Sequence, residues 1–327
     1  MITGHGDDAA RWPGIEVDFA SNVLRADHSR LFAYLRDRLP ALCHYPEADC
    51  QGAERAVAAH LGVRAEEVLL TAGATAAIYL IAQAWQGARS HIQQPTFAEY
   101  ADACRLHGHE LVEHMERADL VWRCQPNNPT GSLGASRLPP EARGGGDATW
   151  VLDHSYAAFT PLPLLSAREA VQRGDVLVIY SLTKRFGLPG LRIGYVVGAE
   201  ALIARVRAQR MPWSVGVLAQ EATNWLLAHE HLYPIDAEAI GRERERVSAA
   251  LRGMGIAVHP SDCHMLLCRL PGGERAGELK RWLAQAHGLL IRDASNFAGL
   301  SPAHFRIALQ QRSENDRLLQ ALSCRPH

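Results

Sequence analysis

Short apolar, β-branched runs alternate with longer Ala- and Leu-rich stretches through the first part of the chain. This rhythm limits the fold more than any other feature. Val68-Leu69-Leu70 leads into a helical pattern over 76–85. The run 118–124 leads into a Pro/Asn/Gly turn, and the runs 150–153 and 176–180 follow. Strands separated by helical patterns predict an α/β domain with a mainly parallel sheet and helices on both faces. In such sheets the functional groups gather at the carboxyl ends of the strands.

After about Pro212 the pattern changes to long helices over 217–229 and 238–253, with Arg and Glu at the polar positions. A strand over 265–270, a helix near 274–287, strands over 289–292 and 305–309 and a helix from about 313 to 322 predict a smaller α+β unit. The expected organisation is an arm over 1–30, a large domain over 31–213 and a small domain over 214–327.

Charge excludes several functions. The 34 Lys+Arg and 35 Asp+Glu give a net charge of −1, and no basic stretch accompanies a helix-turn-helix pattern, so no nucleic-acid partner is expected. The apolar stretch from Val68 to Trp85 is interrupted by Thr71, Gly73 and Thr75, so no membrane span is expected. The seven cysteines are irregularly spaced with no C-x-x-C, and the first residues lack a basic region followed by an apolar core. A reduced, cytoplasmic protein is the expectation. His107-Gly108-His109 and His229-Glu230-His231 lack the i, i+4 spacing of a metal site, and no metal is expected.

The sharpest segment runs from Tyr180 through Ser181, Thr183 and Lys184 to Arg192 and Tyr195. An amine leaving a buried strand toward a partly apolar site has its pKa lowered toward that of a nucleophile. Ser181, Thr183 and Arg192 are the hydroxyls and guanidinium that a phosphate needs. Gly73-Ala74-Thr75 sits between a strand and a helix, where backbone amides cradle phosphate. In Pro126-Asn127-Asn128-Pro129-Thr130-Gly131 the second Asn suits a phenolate oxygen, with Tyr156 beside it. Asp153 ends a strand, as a partner for a pyridinium N–H or, equally, as a helix N-cap. Phe97, in Pro95-Thr96-Phe97, suits the face of a flat ring, as it also suits a core. Together these describe a pyridoxal 5′-phosphate site, with Lys184 as the amine that condenses with the aldehyde.

The same segments resemble the fold-type-I aminotransferase superfamily, in its histidinol-phosphate aminotransferase branch, over nearly the whole chain. Further likeness, to the branch members that decarboxylate L-threonine O-3-phosphate in cobalamin biosynthesis, lies in Gly4-His5-Gly6, Asp18-Phe19-Ala20-Ser21-Asn22, Met211-Pro212-Trp213-Ser214-Val215 and the segments 291–300 and 305–308. The resemblance implies an aspartate aminotransferase-like fold with a mainly parallel seven-stranded sheet and a smaller α+β C-terminal domain. It implies a homodimer with a shared active site, in which Tyr45 reaches the cofactor phosphate of the neighbouring subunit. It places His5, Asn22, Asn128, Arg292 and Arg306 around a small, anionic, phosphorylated amino acid. The implied reaction is decarboxylation to (R)-1-amino-2-propanol O-2-phosphate; the alternative is transamination with 2-oxoglutarate. After Asn22 the chain reads Val23-Leu24-Arg25-Ala26, where relatives usually carry a further Asn and a Pro-Leu-Gly turn. Apart from any resemblance, two arginines at the ends of adjacent strands suit a substrate with two anionic groups.

Overall fold

The strand Val176–Ser181 is apolar without alternation and nearly all buried, the pattern of a strand covered on both faces. The computed structural model, which describes residues 8–134 and 148–325, places it near the middle of a seven-stranded sheet. From one edge the order is Val68–Thr71, Gly194–Gly198, Val176–Ser181, Thr149–Asp153, Leu120–Cys124, Arg89–Ile92 and Glu110–Leu111. Gly194–Gly198 is antiparallel to both its neighbours, and every other pairing in the sheet is parallel. The expected mainly parallel sheet is present.

Successive strand residues feed opposite faces. Leu69, Ile179 and Val196 pack in one core with Ile78 and Ile81 of the helix Ala74–Ala84. Val68, Leu70 and Val197 pack in another with Ala53 and Val57 of the helix Gln51–Leu61. Burial of each isoleucine contributes about 1.5–3 kcal/mol, so the helix is held to the sheet by its apolar face. The helix Val217–Ala228 also joins the second core, through Ala219, Ala222, Trp225 and Leu226. The layer covering the large sheet therefore reaches Tyr233, past the boundary read at residue 213. The change of pattern near Pro212 marks longer helices, not a new core; helix partners are invisible in periodicity.

A second sheet is antiparallel, in the order Arg292–Asp293, His304–Ala308, Met265–Arg269 and Ala257–Val258. Leu251, Leu283 and Leu318, from three helices, pack on it with Phe305 and Ile307. The strand expected over 289–292 is two strands. Leu289–Leu290 pairs in parallel with Val17–Asp18, whereas Arg292–Asp293 pairs with His304–Ala308. The physical cause is the N-terminal arm, which supplies a ladder partner for the first half, so the chain serves two sheets on either side of buried Ile291. Gly194–Gly198 was hidden inside the lysine segment, and Arg89–Ile92 has too few apolar residues to read as a strand.

Gly194 holds this architecture close. A Cβ there would lie 2.7 Å from the Ala74 amide nitrogen and 2.9 Å from the Tyr180 carbonyl oxygen, so only glycine lets the reversed strand lie against the start of the helix. Glu54 braces the neighbouring strand: it accepts from the Leu70 amide (3.0 Å), Arg210 (2.7 Å) and Arg207 (2.7 Å). Among the described residues no helix is long and apolar enough to cross a membrane, and all seven cysteines are free thiols.

Removing one partner of a buried ion pair leaves the other charge uncompensated. Glu54→Ala is expected to cost about 3–5 kcal/mol, read as a fall in the urea midpoint; an unchanged midpoint would remove Glu54 from the brace.

Candidate active site

Parallel pairing brings the carboxyl ends of several strands to one edge, with Cys124 opposite Asp153 and Asp153 opposite Ile179. A cavity of about 220 Å³ opens there. Its wall includes Asn22, Ala74, Thr75, Phe97, Asn128, Asp153, Tyr156, Ser181, Thr183, Lys184 and Arg192, so most of the candidate residues converge.

Lys184 lies on the short helix Leu182–Phe186, which begins where Val176–Ser181 ends. Its Nζ donates to Asn22 Oδ1 at 2.5 Å. The Asn22 amide in turn donates to the Tyr156 hydroxyl. Asn22 comes from the arm, which is tied down by the pairing of Val17–Asp18 and by Ala308 N donating to Phe19 O at 2.8 Å.

Asp153 is 4% exposed. Oδ1 accepts from the Ser155 amide at 2.8 Å, and Oδ2 accepts from the Tyr100 hydroxyl at 2.7 Å. Burial pushes its carboxyl above the usual range, while the Ser155 and Tyr100 hydrogen bonds and the Lys184 charge pull it back. Asp153 is not a helix N-cap: Tyr156 holds that position for the short helix Ala157–Phe159, and the Ser155 bond is a local turn. Tyr156 is buried, which pushes its phenol up and keeps it protonated.

A third corner suits a phosphate. The helix Ala74–Ala84 points its N-terminus at the cavity, and its first amides have no intrahelical acceptor. Gly73 precedes it at φ +89, and a Cβ there would lie 2.8 Å from Arg192 Nη2, so this guanidinium is pressed against the turn. Arg192 itself is left-handed at φ 54. The Thr183 hydroxyl donates weakly to Ile193 O at 3.4 Å.

Arg292 and Arg306 are direct cross-strand partners. Arg292 donates to Asp293 O (2.6 Å) and Asn296 Oδ1 (2.9 Å). Arg306 donates to Asn128 Oδ1 and to Ala20 O, and its Nε is buried without a hydrogen-bond partner. Because Asn128 turns its oxygen to Arg306, its amide donors are left for the cavity. Burial pushes the Arg306 guanidinium down to about 10 and also lowers that of Arg292.

Neither Arg292 nor Arg306 lines the cavity, although Arg306 reaches its wall through Asn128, and two further expected residues are not brought to it. Tyr45 is 86% exposed, beside Trp213 at 5.4 Å between ring centres, and does not border this cavity. His5 lies outside the described residues. Besides Ile78, Ser155 and Pro189 on the cavity wall, three residues escaped the sequence reading: Tyr100 and Cys124, which border the cavity, and His264. His264 is fully buried, its Nε2 lies 3.4 Å from Asn22 O, and burial pushes its imidazole down to about 3. Long-range contacts define all three, and local sequence offers no signal for them.

The donor set fits a flat, phosphorylated pyridine aldehyde. An amine, a buried carboxylate for a ring nitrogen, an amide and a phenol for a ring oxygen, and a helix N-terminus with an arginine for a phosphate surround one cavity.

Comparisons with known proteins agree. Residues 39–322 match the family model for aminotransferase class I and II. The chain is 31% identical over 311 residues to the threonine-phosphate decarboxylase of Salmonella typhimurium, covering 88% of this chain and 85% of that one. The crystal structure of L-threonine-O-3-phosphate decarboxylase from Porphyromonas gingivalis matches with a TM-score of 0.87 at 35% identity, covering 94% of this chain and 98% of that one. The histidinol-phosphate aminotransferase of Sinorhizobium meliloti, solved in complex with pyridoxal-5′-phosphate, shares the fold with a TM-score of 0.82 at 20% identity, over 98% of this chain and 94% of that one.

Incubation with pyridoxal phosphate followed by borohydride reduction is expected to label Lys184, and Lys184→Ala to abolish the label. Peptide mapping that finds the label on another lysine would overturn the assignment of the amine.

Proposed function

Because the chain belongs to the aminotransferase class I and II family, a family that uses pyridoxal 5′-phosphate, we propose that it decarboxylates L-threonine O-3-phosphate at this cavity. The observation that carries this reading is the cross-strand pair Arg292 and Arg306. Like charges placed directly opposite repel, and both arginines are buried, so the pair calls for anionic partners; Arg306 also donates to Asn128 on the cavity wall. A substrate with both a carboxylate and a phosphate supplies two anions for two arginines. The 35% identity to the Porphyromonas gingivalis decarboxylase supports the same choice.

When bound, pyridoxal phosphate supplies an aldehyde for an amine and a ring that takes up the electron pair left by a broken Cα bond. In this reading Lys184 presents its amine to the aldehyde and Asp153 holds the ring nitrogen. Asn128 and Tyr156 hold the ring oxygen, and Phe97 covers a ring face. Gly73, Ala74, Thr75, Ser181, Thr183 and Arg192 take the phosphate. Arg292 and Arg306, with Asn22 and His5, hold the substrate's two anionic groups. These anchors would select which Cα bond breaks by fixing the substrate's torsion. With the bond to the carboxylate chosen, CO2 would leave and its bonding pair would stay with the substrate's Cα. Lys184 would then return a proton to Cα, giving (R)-1-amino-2-propanol O-2-phosphate.

Transamination is the second reading, supported by the shared family and by the fold of the Sinorhizobium meliloti aminotransferase. One assay separates the two. Threonine phosphate is expected to release CO2 without any keto-acid acceptor, and histidinol phosphate with 2-oxoglutarate to yield no glutamate. A strict need for 2-oxoglutarate would overturn the decarboxylase reading.

The proposal includes a homodimer. Tyr45 at 86% exposure and Trp213 at 52% form an aromatic pair on the surface, and a second copy covering it lets Tyr45 reach that copy's cofactor phosphate. Sedimentation velocity is expected to show a dimer; a fully active monomer would overturn the shared site.

A further inference from the structure

We infer that Tyr100 is a positioning residue, one that aims and anchors the Asp153 carboxylate toward the cofactor ring. The inference rests on the pyridoxal phosphate reading above and adds a residue to it. Tyr100 sits in the helix Glu99–Leu106 and is 2% exposed. Its ring is wedged between Trp122, at 5.7 Å, and Phe97, at 5.8 Å and nearly perpendicular. The phenol so held puts its hydroxyl 2.7 Å from Asp153 Oδ2, with the Cys124 thiol also beside it.

The direction of that bond follows from chemistry. An ionised carboxylate only accepts, and burial keeps the Tyr100 phenol protonated, so Tyr100 donates. The Ser155 amide occupies Oδ1 at 2.8 Å, so each carboxylate oxygen has its own fixed donor and the group cannot rotate. Each oxygen keeps acceptor capacity for a ring N–H. The titratable groups facing Asp153 are Tyr100, Tyr156 and Cys124, all pushed up by burial and neutral, and Lys184, whose positive charge favours the carboxylate. Removing the Tyr100 hydroxyl therefore leaves Asp153 easier to protonate, and a protonated acid no longer holds a ring N–H.

Phe97 lies just ahead of that helix, and the Tyr100 amide donates to its carbonyl at 3.4 Å.

The experiment compares wild type and Tyr100→Phe as holoenzymes. Cofactor retention is followed across pH by the absorbance of the bound chromophore, alongside the unfolding temperature of the cofactor-free protein. A hydrogen bond to the ionised form lowers a carboxyl pKa, so its loss raises the pH at which Asp153 protonates. The variant is expected to bind pyridoxal phosphate about tenfold more weakly at neutral pH. Its acid-side midpoint of retention is expected to move up by about one pH unit. In an Asp153→Asn background, Tyr100→Phe is expected to change neither quantity. A midpoint that coincides with wild type, with only the unfolding temperature changed, gives Tyr100 a packing role and overturns the inference, as does an equal shift in the Asp153→Asn background. Wild-type protein that takes up no pyridoxal phosphate overturns the cofactor reading itself.

Discussion

Everything in the site depends on parallel strands ending together. Residues 124, 153 and 179 stand side by side across three strands, so the loops that leave them open at one edge of the sheet. A parallel sheet creates this convergence because each strand must return by a crossover at the far end. The one reversed strand, Gly194–Gly198, does not disturb it. It brings Gly194 opposite both Thr71 and Ser181, and thereby sets the turn at Gly73 beside the lysine helix. The site is thus an outcome of backbone pairing first and of side-chain chemistry second.

That order explains what was legible before the structure. The residues of the cavity that end a strand or follow one by a few positions, Asn128, Asp153, Tyr156, Ser181 and Lys184, were readable because strand ends are readable. Gly73-Ala74-Thr75 was readable for the same reason, at the junction of an apolar run with an Ala-rich helix. Arg292 and Arg306 were placed on adjacent strands of the small unit, and they prove to be direct partners.

What could not be read depends on contacts across long stretches of chain. Tyr100 meets Asp153, His264 meets Asn22, and Glu54 meets Arg207 and Arg210; no local spacing announces any of them. The two misplacements have the same origin. Nothing in the sequence of the helix Val217–Ala228 names its partner, and only its packing on Gln51–Leu61 assigns it to the large sheet. The break at Ile291 follows from an arm strand some 270 positions away in sequence, Val17–Asp18. Periodicity reports which face of an element is apolar and never which neighbour will cover it.

The arm has a mechanical consequence. Within a few residues its backbone receives Ala308 N at Phe19 and the Arg306 guanidinium at Ala20, and its next asparagine holds the Lys184 amine. From Ala20 to Asn22 an extended chain spans at most about 7 Å. Such a stub has little slack, so it acts as a tie-rod between the guanidinium and the amine. The hydrogen bond that holds Arg306 and the one that holds the Lys184 amine therefore stand two residues apart on a single stretch of backbone.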